Sequence, residues 1–159
     1  MAKAFFGENY YLLTDALMSS KEASRIMKEE KNNQRVFKMF DHVTISVSGI
    51  GSFYPTEESV LASPDFMFTE DLEMLKQENV SGDIALRFFD HDGQECNTTL
   101  KERMISISME QFKKIDRKIS LVSGVSKANA VLSALKGGLV DVLILDSNLA
   151  EALLKLTQE

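Results

Sequence analysis

Three short segments of this chain contain the residue types that bind charged or hydroxylated small molecules. They are Gly49-Ile50-Gly51-Ser52, Gly82-Asp83-Ile84 with the nearby Arg87, and Ser123-Gly124-Val125-Ser126-Lys127. Backbone amides, guanidinium and ammonium groups bind anions, whereas a carboxylate accepts hydrogen bonds from hydroxyls. The sequence therefore predicts a binding site wherever the fold brings these segments together.

The first segment follows an alternation of apolar and polar residues over 42–47, which predicts a strand that ends in a glycine-rich turn. Glycines permit positive φ and close backbone approach, so the amides of Gly49, Gly51 and Ser52 could converge on an anion. The alternative is ordinary turn chemistry. The third glycine of a dinucleotide-binding fingerprint is missing, and no helix begins at once.

The second segment leads into a predicted strand over 84–89. On a continuous strand, Asp83, Ala85 and Arg87 would share one face. One interpretation of this face is an internal ion pair or a solvated surface. The other is polyol recognition, in which Asp83 accepts from sugar hydroxyls and Arg87 binds a phosphate with two hydrogen bonds.

The third segment joins an apolar run, 119–122, to a helical pattern that ends at Gly137-Gly138, and a second apolar run, 140–145, follows. This order predicts a right-handed crossover between parallel strands, with ligands at the strand ends. Lys127 opposes the helix dipole unless an anion is bound beside it. The alternative is an exposed lysine whose aliphatic stem lies along the surface.

Weaker patterns predict the remaining elements. We expect a strand at 2–7, helices after Ser19 or Ser20 and from Asn32 or Asn33, a loop over 53–68, a helix capped by Thr69, a turn at 91–93, a short strand over 104–108 and a short helix over 110–114. The first helix should bury Ala23, Ile26 and Met27. Strands that alternate with helices are typical of an α/β protein.

Composition narrows the functional class. The net charge of −6 over 159 residues argues against a nucleic-acid interface, which needs a basic face. The longest apolar runs have the length of strands, no signal peptide opens the chain, and the lone Cys96 fits a reducing cytosol. The two histidines, His42 and His91, lack paired ligand spacing, so we predict no metal site, no cofactor and no covalent catalysis.

Four segments resemble, in order and spacing, the effector domain of SorC-family bacterial transcriptional regulators. They are VTISVSGIGS, NVSGDIALRFFDHDGQE, LKERMISISMEQFKKI and ISLVSGVSKANAVLSALKGGLVDVLILD, which together span about residues 36–156. The resemblance implies a Rossmann-like, mostly parallel sheet flanked by helices, of the glucosamine-6-phosphate deaminase and ribose-5-phosphate isomerase type. It also implies binding of a phosphorylated sugar without turnover, with ligand contacts from Gly49, Gly51, Ser52, Asp83, Arg87 and Lys127.

Some features depart from the family pattern. Ser106 and Ser123 stand where glycines are usual, and Asp141 stands where asparagine is common. Family members also place a helix-turn-helix domain and the first part of the effector domain ahead of this region, and nothing in residues 1–40 reads as a helix-turn-helix. We therefore expect residues 1–159 to form a single domain, the C-terminal part of an effector domain, cytoplasmic and dimeric or tetrameric, without direct contact with nucleic acid.

Two other interpretations stay open. The same fold type supports a sugar-phosphate isomerase or deaminase, for which Asp83 would be the candidate general base. Alternatively, the chain is an oligomerisation segment whose pocket is incomplete.

Overall fold

The computed structural model describes residues 2–54, 59–63 and 65–158, which form two three-stranded sheets. The parallel sheet has the order β1-β5-β6 and consists of β1 (Ile45–Ser48), β5 (Arg117–Val122) and β6 (Val142–Leu145). The antiparallel sheet has the order β2-β3-β4 and consists of β2 (Ile50–Ser52), β3 (Gly82–Ile84) and β4 (Arg87–Phe89). The predicted α/β class, with a parallel sheet flanked by helices, is confirmed, while the antiparallel sheet was not predicted.

Seven α-helices lie in the described part of the chain. They are α1 (Lys21–Glu29), α2 (Lys31–Met39), α3 (Thr69–Gln77), α4 (Leu100–Arg103), α5 (Met109–Lys113), α6 (Ala128–Lys136) and α7 (Ser147–Leu156). Short 3₁₀ helices occupy Ala2–Phe5, Phe40–His42, Val60–Ala62 and Val125–Lys127. Within the described ranges, no helix combines the length and apolar character that crossing a bilayer requires.

The crossover from β5 through α6 to β6 is the part that positions the third candidate segment. Helix α6 packs Val131 and Ala134, both fully buried, into the larger core cluster. It ends at Gly137, and Gly138 follows with φ of 67°, a left-handed conformation that glycine adopts without strain. The predicted strand, helix, glycine stop and second strand are all confirmed, because each depends on a contiguous local pattern.

The predicted glycine-rich turn at 49–52 is wrong. Only Gly49 separates β1 from β2, and Ile50–Ser52 is itself a strand, paired antiparallel with β3. The reason is burial: Ile50 is 2% exposed and belongs to the core, which a surface turn would not allow. The chain thus leaves the parallel sheet at Gly49 and enters the antiparallel one directly.

The single strand predicted over 84–89 is also wrong, because it is a β-hairpin. Ala85 and Leu86 form its two-residue turn with φ of 50° and 64°, the backbone signs of a type I′ turn. The pairing places Asp83 opposite Phe88 and Ile84 opposite Arg87. Directly opposed residues share a face, so Asp83 and Arg87 lie on opposite faces of this sheet.

Several smaller predictions need correction. Residues Ala2–Phe5 are a 3₁₀ helix rather than a strand, and the 104–108 segment makes only an isolated bridge between Met104 and Leu17. The N-cap position of α3 is Phe68, one residue before the predicted Thr69, and Ile26 on α1 is 48% exposed. The predicted loop over 53–68 contains a 3₁₀ helix, and its residues 55–58 and 64 lie outside the described residues.

Candidate functional site

The centre of the candidate site is Asp83 on β3. Its side chain is 9% exposed, and its Oδ1 accepts a hydrogen bond of 2.5 Å from the hydroxyl of Ser59. Ser59 reaches this position because its amide donates to the carbonyl of Ser52 at 3.1 Å, which folds the chain back after β2. The Ser59 hydroxyl also accepts from the amide of Leu61 and so caps the following 3₁₀ helix.

The surroundings of Asp83 shift the pKa of its carboxyl group. Burial raises the pKa of the Asp83 carboxyl to about 6, while the hydrogen bond from Ser59 and the positive charge of Lys127 act in the opposite direction. A buried carboxyl whose pKa is strongly raised is typical of functional sites. The electrostatic contribution of Lys127 also means that the lysine lies close enough to act on Asp83.

Gly51 gives the Asp83 carboxylate its space. It is paired with Asp83 across β2 and β3, and a Cβ at this position would lie 2.0 Å from Asp83 Oδ1 and 2.7 Å from Ser59 Oγ. A glycine is therefore needed at position 51 so that the side chains of Asp83 and Ser59 can lie against its backbone. The converging backbone amides that the glycine-rich turn was expected to provide do not form there, because Gly51 lies within a strand.

We expect Gly51→Ala to disrupt this hydrogen bond and to lower the free energy of unfolding by about 1 kcal/mol or more, because the added methyl overlaps two polar atoms. Urea denaturation measures the change. Gly49→Ala is the matched control, since its Cβ would meet nothing closer than the Leu121 carbonyl at 3.8 Å. Equal effects of the two substitutions would contradict the role given to Gly51.

Ser52 connects this strand to the start of α6. Its side chain is fully buried, and its hydroxyl lies within hydrogen-bond distance of the carbonyls of Tyr54 (3.2 Å) and Ser126 (3.4 Å). Ser126 belongs to the 3₁₀ helix Val125–Lys127, which leads directly into α6. The fold therefore brings the first and third predicted segments together, with the half-buried Lys127 on the side of Asp83.

The loop before Lys127 already has an internal anion. The Gly124 amide, in a backbone with φ of 105°, donates to Asp146 Oδ2 at 2.9 Å, and the other oxygen of Asp146 accepts from Leu149 and caps α7. These hydrogen bonds lower the pKa of Asp146 to about 2. Asp146, which the sequence analysis did not single out, thus takes the place expected for a ligand at the Gly124 amide.

Arg87 is not at this site. Its guanidinium is buried and donates to the carbonyls of Ile107 (2.7 Å), Ser106 (3.2 Å) and Lys101 (3.3 Å), with Glu95 at 3.7 Å. The expected face shared by Asp83 and Arg87 is wrong, because the hairpin turn reverses the chain between them. The hydrogen bonds of the Arg87 guanidinium connect β4 to the segment that contains and follows α4, so Arg87 has a structural role.

The residues that the fold does bring together are Gly51, Ser52, Ser59, Asp83 and Lys127, hereafter the Asp83 cluster. Ser59 was missed because it lies in a segment without periodicity, and no sequence signal singles it out. Gly49 is exposed and only connects β1 to β2.

Two open hollows are lined by residues outside the Asp83 cluster. One of about 530 Å³ lies between the start of α6 and α7 and is lined by residues including Val125, Asn129 and Asn148. Another, of about 460 Å³, is lined by Phe53, Tyr54, Leu75, Lys76, Asn79, Val80 and His91. Neither lining includes Asp83 or Lys127.

The three departures from the family pattern each have a partner inside the chain. Asp141 forms an ion pair with the buried Lys118 at 2.9 Å and accepts from its amide at 2.8 Å. Ser106 supplies one of the carbonyls that bind Arg87, and the side chain of Ser123 hydrogen-bonds to Asp146. In the described part of the chain, no group of three or more His, Cys, Asp or Glu side chains is arranged to hold a metal ion.

The parallel sheet, its β5–α6–β6 crossover and the surrounding helices define an α/β domain, a class in which ligands gather where parallel strands end. The family model described as "Putative sugar-binding domain" matches residues 1–155, and this chain belongs to that family, the sugar-binding domains of SorC- and DeoR-type transcriptional regulators. The resemblance to SorC-family regulators is thereby confirmed.

Individual relatives agree with this assignment. The deoxyribonucleoside regulator of Bacillus subtilis (strain 168) is 27% identical over 152 residues, which are 96% of this chain and 48% of that protein. A DeoR family transcriptional regulator from Listeria monocytogenes has 30% identity and a TM-score of 0.86, with 96% of this chain and 61% of that chain covered. The full-length sorbitol operon regulator SorC from Klebsiella pneumoniae, at 24% identity, shares the fold with a TM-score of 0.86 over 96% of this chain and 49% of that one. This chain spans about half the length of such curated relatives.

Proposed function

We propose that this chain is the effector-binding module of a transcriptional regulator and that it binds a phosphorylated sugar at the Asp83 cluster. The observation that supports this most directly is a buried carboxylate next to a lysine at the start of α6, within a sugar-binding domain family. The Asp83 carboxylate would accept from a sugar hydroxyl. The Lys127 ammonium and the N-terminal amides of α6 would bind the phosphate.

The remaining predicted ligand residues take modest roles in this proposal. Gly51 gives space to Asp83, Ser52 holds the Val125–Lys127 segment in place, and Gly49 orients β2. Arg87 leaves the ligand set, because its guanidinium is occupied by backbone carbonyls. In this proposal, one cationic side chain, that of Lys127, binds the phosphate, rather than two.

Effector binding would be read out by an assembly rather than by direct contact of this segment with DNA. A net charge of −6 disfavours a phosphodiester partner, so we place DNA binding outside this segment. A homodimer or tetramer, in the cytosol where the free Cys96 stays reduced, would carry the signal. The effector would act by binding one state of that assembly more tightly than the other.

The test is thermal unfolding with a panel of phosphorylated pentoses and hexoses, each compared with its unphosphorylated sugar. At a free concentration 100 times its dissociation constant, a ligand stabilises the fold by about 2.7 kcal/mol. We expect Lys127→Gln to remove the response to the phosphorylated sugar. Lys136→Gln, an exposed lysine at the other end of α6, is the matched control and should keep the full response.

A response that does not depend on the phosphate, or one that Lys127→Gln preserves, would contradict this assignment of the site. No response from any sugar in the panel would contradict the proposed ligand class.

The second candidate is a sugar-phosphate isomerase, favoured by the pKa of Asp83 near 6, which suits a general base. The curated relatives are transcriptional regulators, which favours binding without turnover. Assays for interconversion of phosphorylated aldoses and ketoses separate the two candidates. Turnover that Asp83→Asn abolishes would support the enzyme.

A further inference from the structure

Ser59 occupies one of the two oxygens of the Asp83 carboxylate. Both residues are buried, and the Ser59 hydroxyl donates to Asp83 Oδ1. Oδ1 also lies against the backbone of β2, because a Cβ at Gly51 would overlap it. Among the described residues, the Ser59 hydroxyl is the one group that donates a hydrogen bond to this carboxylate. The second oxygen, Oδ2, is therefore the one left for a ligand.

Backbone groups on both sides fix the direction of the Ser59 hydroxyl. Its oxygen accepts from the amide of Leu61 at 3.1 Å, and the amide of Ser59 donates to the carbonyl of Ser52, also at 3.1 Å. A serine hydroxyl has a single hydrogen, which here is directed at Oδ1 of Asp83. Because the two oxygens of a carboxylate are coplanar, fixing Oδ1 also fixes the direction of Oδ2.

Helix capping alone does not explain this arrangement. To cap the following 3₁₀ helix, Ser59 needs only its oxygen, which accepts from Leu61. The hydrogen bond to Asp83 uses the hydrogen of the same hydroxyl and contributes nothing to the cap. Ser59 thus has a second partner, and that partner is the carboxylate at the centre of the site.

The charges around Asp83 are few. Its neighbours across the sheet, Gly51 on β2 and Phe88 on β4, are uncharged, and Lys127 at the start of α6 is the one charged group of the described residues that acts on it. The hydrogen bond from Ser59 favours the ionised carboxyl, as does the charge of Lys127. The two residues together keep the pKa of Asp83 below the value that burial alone would set.

We propose that Ser59 is a positioning residue that restricts Asp83 to one hydroxyl of the bound sugar phosphate. A carboxylate with both oxygens free can accept from two adjacent hydroxyls, whereas one with Oδ1 occupied accepts from one. The module would therefore recognise a single hydroxyl through Oδ2, and its effector class would include deoxy sugar phosphates that lack the neighbouring hydroxyl. This inference rests on the proposed function of the Asp83 cluster.

The first test needs no ligand. Carboxyl-carbon NMR follows the titration of Asp83, whose signal is the one that Asp83→Asn removes. We expect Ser59→Ala to raise the pKa of Asp83 by about 0.5 or more, because the donor that favours the carboxylate is lost. Ser59→Thr keeps the hydroxyl and should restore the parent value. Ser63→Ala is the matched control, since the Ser63 hydroxyl accepts from the Asp65 amide instead.

An unchanged pKa in Ser59→Ala would leave Ser59 with the capping role alone and would overturn the proposal. Equal shifts in Ser59→Ala and Ser59→Thr would do the same, because the hydroxyl would then not be the cause.

The second test measures binding of ribose 5-phosphate and glucose 6-phosphate, each with its 2-deoxy and 3-deoxy analogues, by calorimetry. Loss of a hydrogen bond to a carboxylate lowers affinity by about tenfold or more. In the parent, we expect such a loss for at most one of the two analogues of each sugar phosphate. In Ser59→Ala, Oδ1 becomes free to accept, so at least one analogue that the parent tolerates should bind about tenfold more weakly than its sugar phosphate.

The outcomes separate this inference from the proposed function. Tenfold losses for both analogues in the parent, or the same pattern of losses in Ser59→Ala as in the parent, would overturn the restriction to one hydroxyl and leave the proposed function in place. If the parent binds none of these sugar phosphates or analogues, the proposed function fails and the restriction fails with it, whatever the NMR titration shows.

Discussion

Asp83→Asn is expected to raise the free energy of unfolding at about pH 7.5, by about 2–3 kcal/mol, while it abolishes the response to phosphorylated sugars. Folding raises the pKa of the Asp83 carboxyl from 3.8 to about 6, so the ionised carboxylate is less stable in the folded chain than in the unfolded chain. Each unit of such a shift corresponds to about 1.4 kcal/mol. Asparagine keeps the acceptor for the Ser59 hydroxyl without the charge.

The sign of the pH dependence follows from the raised pKa. The parent chain loses stability as the pH rises from about 4 through 6, because the carboxyl of Asp83 releases its proton in the unfolded chain while burial keeps it protonated in the folded chain. The stability difference between Asp83→Asn and the parent should therefore be largest above pH 6 and vanish near pH 4. Urea denaturation of both proteins at several pH values measures it.

Asp146→Asn serves as a control of opposite sign. Its pKa is lowered to about 2 by the amides of Leu149 and Gly124, so its carboxylate stabilises the fold above pH 4 and loses this effect as the pH falls toward 2. Asp146→Asn should destabilise the chain at neutral pH. A difference between Asp83→Asn and the parent that is constant from pH 4 to pH 8 would contradict the assigned titration of Asp83.

This combination of effects has a functional meaning. A residue whose replacement stabilises the fold but removes binding is retained for its chemistry, which is the trade-off expected at a binding site. The carboxylate of Asp83 costs stability in the free protein. A ligand hydroxyl that donates to it, with the phosphate on Lys127, would offset that cost.

The crossover and the binding site differed in how far the sequence predicted them. The β5–α6–β6 unit was predictable because its apolar runs, its helical spacing and Gly137-Gly138 are local signals. Lys127 was placed correctly at the start of α6 for the same reason. The contact of Ser59 with Asp83 was not predictable, because it depends on how the chain returns after β2.

The hairpin shows why the prediction of a face shared by Asp83 and Arg87 failed. Ala85 and Leu86 occupy positions with positive φ, where asparagine and glycine are usual, so the turn carries no sequence signal. If residues 84–89 formed one strand, Asp83 and Arg87 would lie on the same face. The turn instead places them on opposite faces of the sheet. Likewise, the alternation of β1 predicted a strand but not that its apolar side chains would face outward.

Arg87 is expected to be the most sensitive of these positions for stability. Arg87→Ala would leave the carbonyls of Ile107, Ser106 and Lys101 without their donor, and we expect it to destabilise the chain by about 3 kcal/mol or more. Such a loss could prevent folding, so Arg87→Lys is the informative variant. A lysine ammonium cannot match the fork of the guanidinium, and a loss of about 2 kcal/mol is expected.

Urea denaturation of Arg87→Lys, with Arg25→Lys as the control, distinguishes a structural role from a ligand role. Arg25 is exposed on α1 between Glu22 and Glu29, so its replacement should change stability by less than about 0.5 kcal/mol. If Arg87→Lys keeps the parent's stability but loses the response to phosphorylated sugars, the guanidinium binds the ligand and our structural assignment is wrong. If it loses stability and the remaining folded protein still responds, the phosphate is held by Lys127 and α6 alone.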